Sequence, residues 1–483
     1  MGISRDKVIS NLAWKLFERF AAQGVSLIIS IVLARLLDPD VYGTIALVTV
    51  FTTIMQVFID SGLGTALIQK KDATDIDFSS VFYFNLGACA LLYFLMFLSA
   101  PFIAAFYEKP ELVPIIRLLS LTLIISGIKN VQQAYVSKHM KFHLFFRATI
   151  FATVGSAVVG VAMAYHGFGI WSLVGQHLFN QVISTLILWC AVKWRPKLLF
   201  SFQRLWELLS FGWKILASNL LNTIYENIRQ LIIGKLYTTS DLAFYNKGHQ
   251  FPQLISSNIN ASIDSVLFPV MSEGQDDRER VRAITRRAIK VSSYIMMPIM
   301  LGFAACSNSF IYILLTEKWM PAAFFLRIFC ITMVLYPIHT ANLNAIKAMG
   351  RSDLFLKLEV FKKLVGATTL LIAMWMGVKA MAYSLLITAL ISSFINAYPN
   401  KKLLNYSYPE QLRDILPALA LAALMGGVVY TVELLRLHAL LTLVLQVLVG
   451  VAVYVGGSIL FKMESYHYVL SIAKNFLRKK KKA

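Results

Sequence analysis

The sequence predicts an all-α integral membrane protein of about fourteen transmembrane helices, built as two parallel six-helix lobes followed by a C-terminal helix pair. Three observations predict it: a composition too apolar for a soluble chain, a series of apolar runs long enough to cross a bilayer, and an internal repeat separated by six of those runs.

A soluble domain is about half apolar and about a quarter charged. This chain of 483 residues is 58% hydrophobic and 15% charged, with a mean hydropathy of +0.65. Its 25 Gly, 13 Pro and 4 Cys exclude collagen, low-complexity disorder and a small disulfide scaffold. A membrane helix needs roughly 20 mainly apolar residues. Fourteen runs fit, at about 12–36, 41–60, 78–105, 112–136, 144–165, 168–192, 208–236, 242–271, 288–315, 322–346, 354–377, 380–399, 412–434 and 438–461. The longest strongly polar stretch is Ser272–Arg287, so no room remains for a soluble domain and any activity must sit within the helices or at their ends. Barrel strands alternate in polarity, whereas Leu91 to Leu98 is continuously apolar. The first run carries Lys15, Glu18 and Arg19, unlike the apolar stretch of a cleavable signal, so it is expected to remain in the mature protein.

An even number of spans puts both termini on one side. Lys and Arg in the loops of that side outnumber those opposite by 23 to 6, which predicts cytoplasmic termini. This bias accounts for much of the net charge of +21. No recognition motif accompanies the charge, so nucleic acid is excluded as a partner. The basic tail Arg478–Lys482 is expected to meet anionic membrane lipids.

Trp14-Lys15 is followed by Ala34-Arg35-Leu36, and Trp213-Lys214 by Gly234-Lys235-Leu236. An acidic turn follows each, Asp38-Pro39-Asp40 and Thr239-Ser240-Asp241. Ile116-Arg117 precedes Lys138-His139-Met140 as Leu326-Arg327 precedes Lys347-Ala348-Met349, and the offset is 199 to 210 throughout. Six intervening spans preserve orientation, so the repeats are parallel and related by an axis along the membrane normal. The predicted organisation is an N-lobe over 1–200, a C-lobe over 205–405, helices 13 and 14 over 410–462, and a basic cytoplasmic tail over 463–483. Transporters with such halves bind cargo between them and expose the site to each side in turn.

Polar groups inside spans are costly and mark cavities or partners. In span 1, Lys15 is expected to snorkel, whereas Arg19 and Gln23 lie deeper and are expected to face a cavity. In span 7, Lys214, Asn219, Asn222, Glu226 and Arg229 recur at three to five residues as one wet stripe. Glu226 and Arg229 stand at i,i+3 and could also form a structural ion pair. Span 8 adds Asn246, Asn258, Asn260 and Asp264. The repeat-related Arg117 and Arg327 would suit an anionic head group, because Arg binds phosphate through two parallel bonds, or could simply meet lipid phosphate. Substrate-contact candidates are therefore Arg19, Gln23, Arg117, Lys214, Asn222, Arg229 and Arg327. The excess of cations favours an anionic cargo.

Other signals are weaker. Asp60, before Ser61-Gly62-Leu63-Gly64, reads as a turn or cap rather than a proton site. Cys89, Cys190, Cys306 and Cys330 stand singly and read as small hydrophobes. His139 and His143 lack a supporting carboxylate, there is no Walker A motif, and Asp38/Asp40 reads as an interhelical turn. No metal, cofactor or catalytic residue is expected.

Leu33-Ala-Arg-Leu-Leu-Asp-Pro-Asp-Val-Tyr-Gly43, Phe58-Ile-Asp-Ser-Gly-Leu-Gly-Thr-Ala-Leu-Ile-Gln69 and Phe106-Tyr-Glu-Lys-Pro-Glu-Leu112 resemble the polysaccharide-transporter branch of the multidrug/oligosaccharidyl-lipid/polysaccharide exporter superfamily. The subgroup it resembles is the colanic-acid or teichuronic-acid exporter type, related to Wzx flippases. The likeness covers nearly the whole chain, including Tyr245-Asn-Lys-Gly248 and Ala345-Ile-Lys-Ala-Met-Gly350. It implies a V of two lobes around a cationic cavity, in a bacterial inner-membrane flippase that moves an undecaprenyl-pyrophosphate-linked oligosaccharide to the periplasmic leaflet. It also implies contact with polysaccharide polymerase and chain-length machinery. Cation coupling drives some relatives, and Glu226 and Asp264 are the deep carboxylates suited to it. Span 1 carries Glu18 and Arg19 in place of the lone coupling aspartate of some drug exporters. The competing readings are a cation-coupled small-molecule exporter of the same fold and a membrane-embedded polymerase or glycosyltransferase.

Overall fold

The computed structural model describes residues 23–60, 62–274 and 276–480, and every element among them is helical. The order is α1 (Gln23–Leu36), α2 (Pro39–Asp60), α3 (Leu63–Gln69), α4 (Asp75–Phe106), α5 (Leu112–Leu119), α6 (Leu121–Lys138), α7 (His143–Tyr165), α8 (Ile170–Ala191) and α9 (Phe202–Leu236). There follow α10 (Thr239–Glu273), α11 (Arg278–Ala305), α12 (Ser307–Leu315), α13 (Pro321–Met333), α14 (Tyr336–Ala348), α15 (Ser352–Ala373), α16 (Val378–Leu404), α17 (Tyr408–Thr431), α18 (Ala439–Leu460) and α19 (Glu464–Lys480). Two compact units divide at Ala243/Phe244, so α9 packs within the first.

Among the described residues, nine helical stretches are long and apolar enough to cross a membrane. Large apolar side chains point out of the fold along them. Leu91, Phe94, Leu95, Leu98 and Phe102 are exposed on α4, as are Leu440, Val444, Val447 and Val451 on α18. Stripes of that size are covered by acyl chains rather than water, and the helices satisfy their own backbone groups, as hydrocarbon requires. The chain is a multi-pass membrane protein.

Local chemistry sets the helix ends. Thr74 and Asp77 form a reciprocal cap at the start of α4, with the Thr74 N–H donating to Asp77 at 2.7 Å. Ser407 and Glu410 do the same for α17. Asp277 caps α11 by accepting from the Arg280 N–H at 3.0 Å. The basic stretch after it, expected as part of a loop, therefore forms the first turns of α11. The run expected over 322–346 is two helices, because Pro337 has no N–H for the Met333 carbonyl and the chain restarts at Tyr336. The run over 112–136 likewise breaks at Ser120, between α5 and α6.

In the first unit Phe78, Tyr135 and Trp194 pack as an aromatic cluster, Phe78 and Trp194 with centroids 5.6 Å apart. The Trp194 indole N–H donates to Asp75 at 3.2 Å, which ties the segment after α8 to the start of α4. Two glycines allow backbones to meet there. A Cβ on Gly62, whose φ is +104°, would stand 2.6 Å from the Gly212 carbonyl oxygen, and one on Gly43 would stand 1.7 Å from that of Thr239. In the second unit the buried Tyr294 hydroxyl donates to Ser458 at 2.7 Å, and Asn342, Asn400 and Gln411 form a buried amide network.

Candidate functional site

Arg19 lies outside the described residues. Gln23 is half-buried near the start of α1. On α9, Lys214 and Glu226 are exposed, Asn222 is half-buried and Arg229 is buried. Gln23, Asn222 and Arg229 all have partners. Glu226 forms no ion pair among the described residues, so the i,i+3 pairing with Arg229 is not made. The wet stripe thus places a carboxylate outward and a guanidinium inward on the same helix.

Arg117 and Arg327 are held inside their own units. Arg117 stacks on Phe97 at 4.1 Å and donates from Nε to the Phe97 carbonyl at 3.4 Å. Arg327 donates to Ser307 Oγ at 3.1 Å and Asn308 Oδ1 at 3.4 Å, beside the Tyr430 ring. Its buried Nε has no hydrogen-bond partner among the described residues. Asp264 is exposed on α10 and accepts from Asn344 Nδ2 at 2.5 Å.

The first unit also holds an open polar cavity of about 290 Å³. Its first wall is α2, which presents Thr49, Thr53, Gln56 and Asp60. The second is α5–α6, which presents Thr122, Ser126, Lys129 and Gln133, and the third is α8, with His177 and Gln181. Asp60 closes α2 as expected, but its carboxylate faces this cavity. One oxygen accepts from Gln56 Nε2 at 3.1 Å and the other from Asn130 Nδ2 at 3.1 Å. Lys129 Nζ donates to Gln181 Oε1 at 2.6 Å and Ser184 Oγ at 3.4 Å. Both ions are thus held by neutral groups rather than by each other.

Spacing could have revealed this cavity. Positions 49, 53, 56 and 60 repeat at four, three and four residues, and positions 122, 126, 129 and 133 repeat identically. Each series is one helix face. Mostly neutral hydroxyls and amides carry it, so a search for charge passes over it.

Outside the spans, charge fixes loop positions. Lys235 at the end of α9 donates to Glu108 at 2.9 Å and to the Phe106 carbonyl at 2.5 Å. Its ammonium holds the Glu108 carboxyl below the usual carboxylate range. Lys70 bonds Asp77 at 2.9 Å, and that bond raises its ammonium above the ordinary lysine value.

The family described as "Polysaccharide biosynthesis protein" matches residues 32–324. The teichuronic acid biosynthesis protein TuaB of Bacillus subtilis (strain 168) is 26% identical over 410 residues, covering 83% of this chain and 85% of that one. The lipopolysaccharide biosynthesis protein WzxC of Escherichia coli (strain K12) is 23% identical over 433 residues, covering 87% and 88%. The lipid II flippase MurJ in an inward closed conformation superimposes with a TM-score of 0.73 at 15% identity, covering 94% of this chain and 98% of that one. The fold is therefore of that kind.

Proposed function

The chain belongs to the "Polysaccharide biosynthesis protein" family, and from that premise we propose that it is a flippase. Its cargo is a lipid-linked, undecaprenyl-pyrophosphate oligosaccharide, moved by alternating access across the bacterial inner membrane for surface polysaccharide synthesis. The observation that carries this reading is ionisable and polar chemistry placed inside spans: Arg229 buried on α9, and Asp60 and Lys129 on a polar cavity. Such groups cost free energy in hydrocarbon and mark a transport path. The chemistry fits a transporter rather than an enzyme, because the cavity offers binding groups and the cargo needs only to be moved.

In this reading the chain crosses fourteen times. The nine apolar stretches are joined by α1, α8, α9, α10 and α15, which are shorter or more polar. Spans one to six and seven to twelve form the parallel repeats, and spans 13 and 14 the final pair. Both termini are cytoplasmic, and the basic tail lies on anionic lipid. Arg19, Gln23, Lys214, Asn222 and Arg229 are proposed to contact the pyrophosphate, with Arg117 and Arg327 as further substrate-binding candidates. Glu226 and Asp264 are the carboxylates available for coupling to an ion. Polymerase and chain-length machinery receive the flipped unit.

A strain lacking the protein should accumulate lipid-linked repeat units in the cytoplasmic leaflet. Normal polysaccharide export with altered drug resistance would point instead to a cation-coupled small-molecule exporter. Sugar-chain extension by the purified protein would make it a membrane-embedded polymerase.

A further inference from the structure

We infer that the polar cavity walled by α2, α5–α6 and α8 binds one hydroxyl-rich sugar residue of the cargo, with Asp60 and Lys129 as its two anchors. This rests on the flippase reading and places the sugar at residues distinct from the arginines assigned to pyrophosphate.

The internal repeat supplies the control. α1 ends at Leu36 and α2 begins at Pro39; α9 ends at Leu236 and α10 begins at Thr239, an offset of 200. α6 ends at Lys138 and α14 at Ala348, an offset of 210. Gly169 and Gly377, each in the left-handed region, precede α8 and α16 at an offset of 208. By these offsets Asp60 corresponds to Asn260, and Asn130 to Thr340. The contact recurs: Asn130 donates to Asp60 at 3.1 Å, and Thr340 donates to Asn260 at 3.1 Å.

The packing is thus kept in the second copy while the charge is not. Asp60 becomes the buried Asn260, Lys129 becomes His339, Gln133 becomes Leu343, and Gln181 becomes Ala389. A neutral copy forms the same interhelical bond, so folding does not require the ions of the first unit. They remain where a ligand would use them.

The chemistry selects the ligand. The two anchors cancel formally, which disfavours a phosphate or a bare cation. No arginine lines the cavity among the described residues. Its hydroxyls, amides and imidazole offer mixed donors and acceptors, the inventory that matches a ring of hydroxyl groups. Thr53, Gln133 and His177 have no hydrogen-bond partner among the described residues and line the cavity. A volume of about 290 Å³ lies at the small end of ligand sites, roughly 300–1,000 Å³, which suits one sugar rather than a whole repeat unit. A site built to bond hydroxyls rejects ligands that lack them.

The test uses the full chain in lipid nanodiscs and follows thermal unfolding with glucose, galactose, glucuronate or N-acetylglucosamine. At least one should raise the transition temperature of the wild type in a saturable way. Lys129→Met and Asp60→Asn should each weaken half-saturation about tenfold, the cost of one charged hydrogen-bond partner. Gln133→Leu, which installs the residue of the second copy and breaks no bond, should weaken it in the same direction and guards against misfolding of the charged variants. Binding of sugar-free undecaprenyl diphosphate, measured in parallel, should be unchanged in all three. Absence of any sugar effect, or an equal response to sodium chloride alone, overturns the inference. Loss of the sugar-free lipid's binding in the wild type, with the sugar response intact, would overturn the flippase reading and leave this site standing.

Discussion

Gly43 and Thr239 meet backbone to backbone: a Cβ on Gly43 would lie 1.7 Å from the Thr239 carbonyl oxygen. They stand at the starts of α2 and α10, helices that begin at Pro39 and Thr239. The Thr239 hydroxyl donates to Asp40 and accepts from Lys109 at 3.2 Å, so three segments of the first unit converge on this point.

Gly43→Ala should therefore be among the most damaging single changes available. The atom it adds meets backbone, which cannot rotate away. Overpacking usually costs about 1–3 kcal/mol, and this site should reach the upper end. The measurement is the folded fraction after detergent extraction, by fluorescence size exclusion. A variant as monodisperse as the wild type would mean the two helix starts separate easily.

Arg229 gives a prediction about transport. It is buried on α9, and its neighbour Glu226 faces outward. Arg229→Ala should abolish polysaccharide export at normal protein level, and Arg229→Lys should restore it partly, since Lys keeps the charge but not the planar fork. Glu226→Gln should fold normally; if Glu226 couples an ion, it should lower export most with the ion gradient intact and match the wild type once the gradient is collapsed. Arg19→Ala should match Arg229→Ala in the same complementation assay. Loss of folded protein in both arginine variants would assign them to structure.

Much of this architecture is legible in the chain. The spans follow from long apolar runs, because only helices satisfy their backbone in hydrocarbon. What escaped is the cavity. Thr49, Thr53, Gln56 and Thr122 are individually ordinary in a membrane helix, and their common face emerges only when three helices close around it. Asp60 shows the same limit: helix-end position is local and readable, whereas the partner Asn130 lies 70 residues away. The break at Ser120 has no proline to announce it. The arginines 117 and 327 match in sequence, yet each is held by different neighbours in its own unit.

Glu108 provides a pH test. Lys235 depresses its carboxyl, so the ionised folded state binds its proton less readily than the unfolded chain. The stabilisation is then present above the ordinary glutamate value of about 4.3 and is lost as pH falls through the lower folded value. Thermal unfolding of Glu108→Gln should differ from wild type at pH 6 and converge with it by about pH 3. The difference should be small, and high salt should shrink it, because this pair is exposed. A gap that widens on acidification would contradict the assignment.

Asp77 is a structural carboxylate of the first unit. Its side chain is fully buried at the start of α4. It accepts from Lys70 at 2.9 Å, from Arg204 at 3.2 Å, and from both the N–H and hydroxyl of Thr74. It thereby joins the residue after α3, the cap of α4 and the first turn of α9. Removing the buried carboxylate leaves Arg204 without this counterion while Lys70 keeps Glu207 at 3.4 Å, and both cations are partly solvated, so the cost is below that of a fully buried pair. Asp77→Asn keeps the shape but loses the charge, so Arg204 loses this counterion and Lys70 is left with the exposed Glu207. The expected result is a transition temperature lowered by several degrees, with a smaller loss for Arg204→Met, whose partner keeps Lys70. Equal losses in the two variants would mean that the Arg204 contact, rather than the carboxylate as a hub, holds α9 to α4.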